Sequence, residues 1–243
     1  MKIIDIHAHT GKWLFHSEMT DEKIPDMLDR FSIVKAIFSS GLSLMHDLVE
    51  GNRYNYDFIQ RDDRCYGYVV INQNHVDLSI NELRKYLGKK KIIGVKMHPT
   101  QFDHKVNTKE SRILLKIVES YGLPVLIHTE DSEIARPKHI IDIAVDFPKN
   151  KYIIAHMGNA WWQEALESAS KADNIYTDIV SSWCAYDNIR YACEKLGDDH
   201  VLYGSDLTLL NPALSIGNVM SSEISNDSKE KIFYKNASEI FDF

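Results

Sequence analysis

Eight short runs rich in Ile, Val and Tyr recur along this 243-residue chain, and the segments between them carry apolar residues at helical spacing. The runs are KIIDIHAH at the start, VKAIFSS (34–40), CYGYVVIN (65–72), IIGVKMHP (92–99), PVLIHTE (124–130), YIIAHMG (152–158), IYTDIVS (175–181) and VLYGSDL (201–207). Helical spacing is clearest for Ile113, Leu114, Ile117, Val118 and Tyr121, and for Ile140, Ile141, Ala144 and Val145. Strands that read as continuous apolar runs are covered on both faces, and their alternation with helices marks a parallel sheet. Eight such units predict closure into a (β/α)8 barrel, and the length suits one domain spanning residues 1–243. An open doubly wound sheet is the alternative. That fold usually shows a Gly-rich phosphate turn after its first strand, whereas this chain has HAHTGK there and no GxGxxG or P-loop elsewhere. The polar stretch SNDSKEK (225–231) reads as a cap opening the final helix.

Composition narrows the function classes. Hydrophobic residues make up 44% and charged residues 26%, enough for a packed core and unlike a disordered chain. A net charge of -7 argues against nucleic acid or an anionic membrane as partner. Cys65, Cys184 and Cys193 are odd in number and lack metal-finger spacing, so the expectation is free thiols in a reducing cytoplasm. No signal-peptide pattern opens the sequence and no eighteen-residue apolar stretch occurs, so neither secretion nor a membrane span is expected.

Five of the eleven histidines fall late in a predicted strand: His7 and His9 in the first, His98 in the fourth, His128 in the fifth and His156 in the sixth. Asp206 ends the eighth. In a barrel the C-terminal strand ends converge on one mouth, so these six residues describe one site. A lone strand-end histidine is ordinarily a hydrogen-bonded rim residue. Six at one edge are not. In a strand, residues i and i+2 share a face, so His7 and His9 project side by side while Ile6 and Ala8 face the other way. Imidazoles with a carboxylate suit Zn, and also Mn, Fe or Ni, with a coordination position left open.

The stretches HAHTG (7–11), GVKMHP (94–99), LIHTE (126–130), IIAHMG (153–158), LYGSD (202–206) and KNASEIF (235–241) together resemble the amidohydrolase superfamily. The likeness is to its amidohydrolase-related branch, which holds hydrolases and aminocarboxymuconate-semialdehyde decarboxylase-like enzymes. The resemblance implies a metal-dependent (β/α)8 enzyme whose ligands are His7, His9, His128 and Asp206, with His156 activating substrate or binding a second metal. Branch members are often oligomers, so a homo-oligomer is implied too. Metal-dependent deoxyribonuclease-like and histidinol-phosphatase-like barrels fit less well, because the fourth strand reads GVKMHP and HAHTGKW lacks a Ser-Asp element.

One divalent ion, zinc first, would activate water and polarise a carbonyl. Asp206 and His156 are then the catalytic pair, Asp206 as proton carrier and His156 as oxyanion donor. The leading expectation is hydrolysis of a small amide, lactone or ester; the alternative is decarboxylation of a small acid on the same scaffold, and a non-catalytic binding barrel is a third. Lys96 and His98 share a face at the mouth and are expected to contact substrate or the metal shell. In binuclear relatives a carboxylated lysine in this strand bridges two metals, which is the less favoured role for Lys96. Arg136 is a candidate clamp for a substrate carboxylate or else a surface ion pair with Glu130, Asp131 or Glu133. Trp161 and Trp162 either line the pocket or wedge a helix. Asp178, Trp183 and His104 are rim candidates, and WLFH (13–16) either roofs the site or plugs the rim.

Overall fold

The computed structural model describes residues 1–11, 13, 20–180 and 186–243. Eight parallel strands follow one another round a single sheet in sequence order. They are β1 (Ile3–Thr10), β2 (Ile33–Ser40), β3 (Cys65–Val70), β4 (Ile92–Met97), β5 (Val125–Ile127), β6 (Tyr152–Ile154), β7 (Ile175–Asp178) and β8 (Val201–Leu202). Closure comes from a parallel bridge between Ala8 and Leu207, flanked by hydrogen bonds from Ile6 N to Tyr203 O and from His9 N to Leu207 O. The result is the (β/α)8 barrel expected from the alternating runs.

The outer layer includes α1 (Ile24–Arg30), α2 (Leu48–Ile59), α3 (Val76–Tyr86), α4 (Lys109–Tyr121), α5 (Lys138–Asp146), α6 (Trp162–Ala169), α7 (Tyr186–Leu196) and α8 (Pro212–Ser221). Their ends follow from local chemistry. Thr108 caps α4 by accepting from Ser111 N, and Gly122 closes it in the left-handed conformation at φ 65°. Leu114, Leu115 and Val118 are its buried face, while Ile113 and Tyr121 stay exposed. On α5, Ile140, Ile143 and Ala144 are buried, and Val145 faces solvent. Ser225 caps the helical segment beginning at Asn226 by accepting from Ser228 N, as its sequence suggests.

Two apolar layers hold the barrel together. Inside, Ile4, Ile6, Ile37, Tyr68, Leu126, Ile153 and Leu202 pack together, and Ala237, Ile240 and Phe241 from the C-terminal segment join them. Outside, Phe38, Val69, Val95, Val125 and Ile154 pack with Leu83, Leu114 and Ile140 of the helices. Ile6 corrects the simple alternation expected for β1. It belongs to the interior cluster, whereas Ala8 packs outward. The β1–β2 register shifts between Asp5 and Ala8, and such an irregularity lets Ile6 and His7 both reach the interior.

Candidate metal centre

His7 and His9 leave the C-terminal half of β1, and Asp206 arrives from the turn after β8. One ligand atom from each lies within 4.8 Å of the others, the one such group of histidine, cysteine or acid side chains among the described residues. His9 Nε2 is 3.0 Å and His7 Nε2 3.4 Å from Asp206 Oδ1. Asp206 sits in the left-handed region at φ 60°, uncommon for a non-glycine residue, and its N–H donates to His7 O at 2.8 Å. Gly204 permits that approach: a Cβ there would stand 2.8 Å from the Cβ of His7.

The surroundings orient these groups. His7 Nδ1–H donates to Asp178 Oδ2 at 2.8 Å, which leaves the Nε2 lone pair facing the cluster. Ser39 Oγ stands 3.1 Å from His9 Nδ1, and a hydroxyl can donate or accept, so His9 is able to present Nε2 as well. A buried imidazole held by an outer hydrogen bond is the arrangement metal-ligating histidines need, and the donor set fits a divalent ion. Burial, reinforced by Lys96, drives His7 well below the ordinary histidine pKa and keeps it neutral. Burial alone would raise Asp206; His7, the hydrogen bond to His9 and His156 outweigh it and hold the carboxylate well below its usual range.

Lys96 is fully buried in β4, and its Nζ donates to His7 Nε2 at 2.9 Å. Burial pulls its pKa down to about 8, against the opposing pull of Asp206 and Asp178.

His128, expected as a further ligand, stands just past the end of β5 at Ile127 and outside the three-residue group. Its Nδ1 shares a hydrogen bond with His156 Nε2 at 3.0 Å, and its Nε2 is 3.2 Å from Glu130. His98 stacks on it with centroids 3.8 Å apart and accepts from Gln101 N, so it both lines the site and fixes the turn after β4. His156 reaches the centre through a run of left-handed backbone, φ 61° at His156, 46° at Met157 and 50° at Asn159. Burial lowers the pKa of both His128 and His156, with the other charges of the site secondary.

Arg136 makes the ion pair with Glu133 that was one of its two expected roles; its guanidinium also pairs with Glu164 of α6 and lies 4.0 Å over the Trp161 ring. Trp162 packs against the outer core and Tyr191, the wedge role. His104 bonds Asn74 and Thr108 in the loops after β3 and β4. Leu14, Phe15, His16, Trp183 and Cys184 lie outside the described residues. Trp13 meets the edge of His9 at 4.9 Å and packs with Leu44, Leu48, Val70 and Phe102 into an apolar patch beside the histidines.

Asp178 was underrated as a rim contact. It is fully buried, holds His7 through Oδ2, and through Oδ1 accepts from His156 N at 2.7 Å and Val180 N at 3.1 Å. Its signal was its place in IYTDIVS, an acid at a strand's C-terminal end like Asp206.

The model of the family described as amidohydrolase matches residues 4–243. The chain belongs to that family. Among solved structures this family member is similar to 5-carboxyvanillate decarboxylase from Sphingomonas paucimobilis, with 12% identity, TM-score 0.77, and 100% of this chain and 99% of the other covered. A dihydroxybenzoic acid decarboxylase from Polaromonas with bound manganese and the inhibitor 2-nitroresorcinol matches with 13% identity, TM-score 0.76, and coverage of 99% and 97%. A protein from Acinetobacter baumannii, named a probable 2-pyrone-4,6-dicarboxylic acid hydrolase and solved with citric acid, matches with 19% identity, TM-score 0.71, and full coverage of both chains. No curated protein sequence matches the chain. Among the described residues no helix is long and apolar enough to cross a membrane.

Proposed function

We propose that this amidohydrolase family member is a metal-dependent decarboxylase of a small aromatic carboxylic acid, with a single divalent ion held by His7, His9 and Asp206. Lys96 carries the reading. A fully buried ammonium with no carboxylate within ion-pair distance among the described residues suits an anionic group that the substrate brings. The decarboxylases among the structural neighbours act on benzoic acids, and one was solved with manganese, which makes manganese the first candidate; zinc suits the same donors.

The ion would supply a Lewis acid that draws electron density from a substrate oxygen. Lys96 Nζ holds the carboxylate, and the patch of Leu44, Val70, Phe102 and Trp13 packs the ring and excludes water. The bond from ring carbon to carboxyl carbon breaks, its electron pair stays on the ring, and a proton relayed from solvent through Glu130, His128 and His156 takes the place of CO2. The His156–His128 pair shares one proton between Nε2 and Nδ1, and the far nitrogen of His128 faces Glu130, a partly exposed source for its replacement.

Hydrolysis, the leading expectation from the sequence, asks Asp206 to accept a proton from water. Its Oδ1 is already engaged with His9 Nε2 at 3.0 Å. The test is product analysis on metal-loaded protein given ring-hydroxylated benzoic acids and a pyrone dicarboxylic acid. Loss of CO2 by mass supports this reading; gain of water with no CO2 returns the chain to the hydrolases.

A further inference from the structure

Where β1 meets the turn after β8, one buried carboxylate touches both segments that bear the proposed ligands. Asp5 Oδ1 accepts from His7 N and from Ser205 N, each at 3.1 Å, and Oδ2 accepts the Ser205 hydroxyl at 2.5 Å. Ser205 Oγ accepts in turn from Leu207 N at 3.0 Å. Ser205 and Leu207 flank Asp206, so this one side chain reaches the backbone of His7 directly and brackets Asp206 from both sides. We propose that Asp5 is the positioning residue of the metal centre, a carboxylate clamp that holds the β1 irregularity and the Asp206 turn so that His7 and Asp206 face one ion. The inference rests on the metal reading above.

The strand ladder by itself does not provide this. The β1–β2 register slips between Asp5 and Ala8, where His7 lies, and β8 is two residues long and ends before Asp206. A left-handed aspartate persists only when its surroundings over-determine it. Asp5 is itself costly: it is fully buried, and no cation pairs with it among the described residues. Its compensation is the set of donors from the two ligand-bearing segments, which is where a purely packing residue would be apolar.

The test is Mn2+ affinity, read by titration of the free ion in Asp5→Ala, Asp5→Asn and Ser205→Ala, with Leu83→Ala as control. Leu83 is buried on α3, which packs on β3, so its truncation lowers stability without touching the seam. Asp5→Ala is expected to weaken binding about 10–100-fold and Ser205→Ala about tenfold, the range seen when an outer partner of a ligand is lost. Asp5→Asn keeps an acceptor for both N–H groups and stays near wild type, as does Leu83→Ala despite its lower Tm. Wild-type affinity in Asp5→Ala or Ser205→Ala overturns the clamp, and so does a Leu83→Ala loss that matches theirs. If Asp5→Ala does not fold, Ser205→Ala set against Asp5→Asn decides in the same way. Wild-type protein that binds no Mn2+ refutes the metal reading itself, whereas binding that all variants retain refutes only the clamp.

Discussion

Lys96 puts a positive charge where the fold offers it little but a neutral imidazole. A hydrogen bond to a charged group contributes about 1.5–3 kcal/mol, so Lys96→Met should raise KM for a carboxylate substrate by roughly 10–150-fold. Thermal stability should hold or rise in the same variant, because a desolvated ammonium is exchanged for an apolar chain of similar length. An unchanged KM would remove Lys96 from substrate binding. Asp178 acts one bond further out. Asp178→Asn places an amide where His7 Nδ1–H needs an acceptor, favours the tautomer with its proton on Nε2, and should weaken metal binding about 10–100-fold in a direct titration. Equal affinity would mean that another group sets the His7 tautomer. Neither role could be read from sequence, although both residues stood at strand ends; which nitrogen faces which oxygen is decided between His7 and Asp178, 171 positions apart.

At the scale of elements, the eight apolar runs mark the eight strands, and the helical spacing between them marks the outer layer. Strand lengths were less legible. The runs carrying His128 and His156 look continuous, yet β5 and β6 stop at Ile127 and Ile154; past β6, His156 N is taken by the side chain of Asp178, the last residue of β7. The side of β1 taken by Ile6 was misjudged because a register shift is a property of the paired strands and not of one strand's alternation. Close strand packing gives a sharp test at this scale. A Cβ on Gly94 would stand 2.5 Å and 2.6 Å from the Tyr68 ring and 3.0 Å from Pro124 O. Gly94→Ala should cost about 1–3 kcal/mol by displacing Tyr68, whose hydroxyl donates to Ile6 O at 2.8 Å, and the loss reads as a lower denaturant midpoint. A wild-type midpoint would mean that the barrel interior yields more easily than its packing implies.

For the whole molecule, the ends of the chain meet at the candidate centre: His7 and His9 from the first strand and Asp206 from the turn after the last. An ion held there staples the seam where the barrel closes. Manganese at 100 times its Kd should stabilise the fold by about 2.7 kcal/mol, or about 5–10 °C in Tm for a chain of this length, and a chelator should reverse it. A melting curve insensitive to both would place any bound ion away from the seam. The central claim is that these three side chains make one metal site, and metal content tests it most directly. Elemental analysis of protein prepared without chelator should find about one equivalent of a divalent ion in the wild type and almost none in folded His7→Ala or Asp206→Ala. Folded wild-type protein without metal after manganese loading, or variants that keep the full equivalent, would contradict the account.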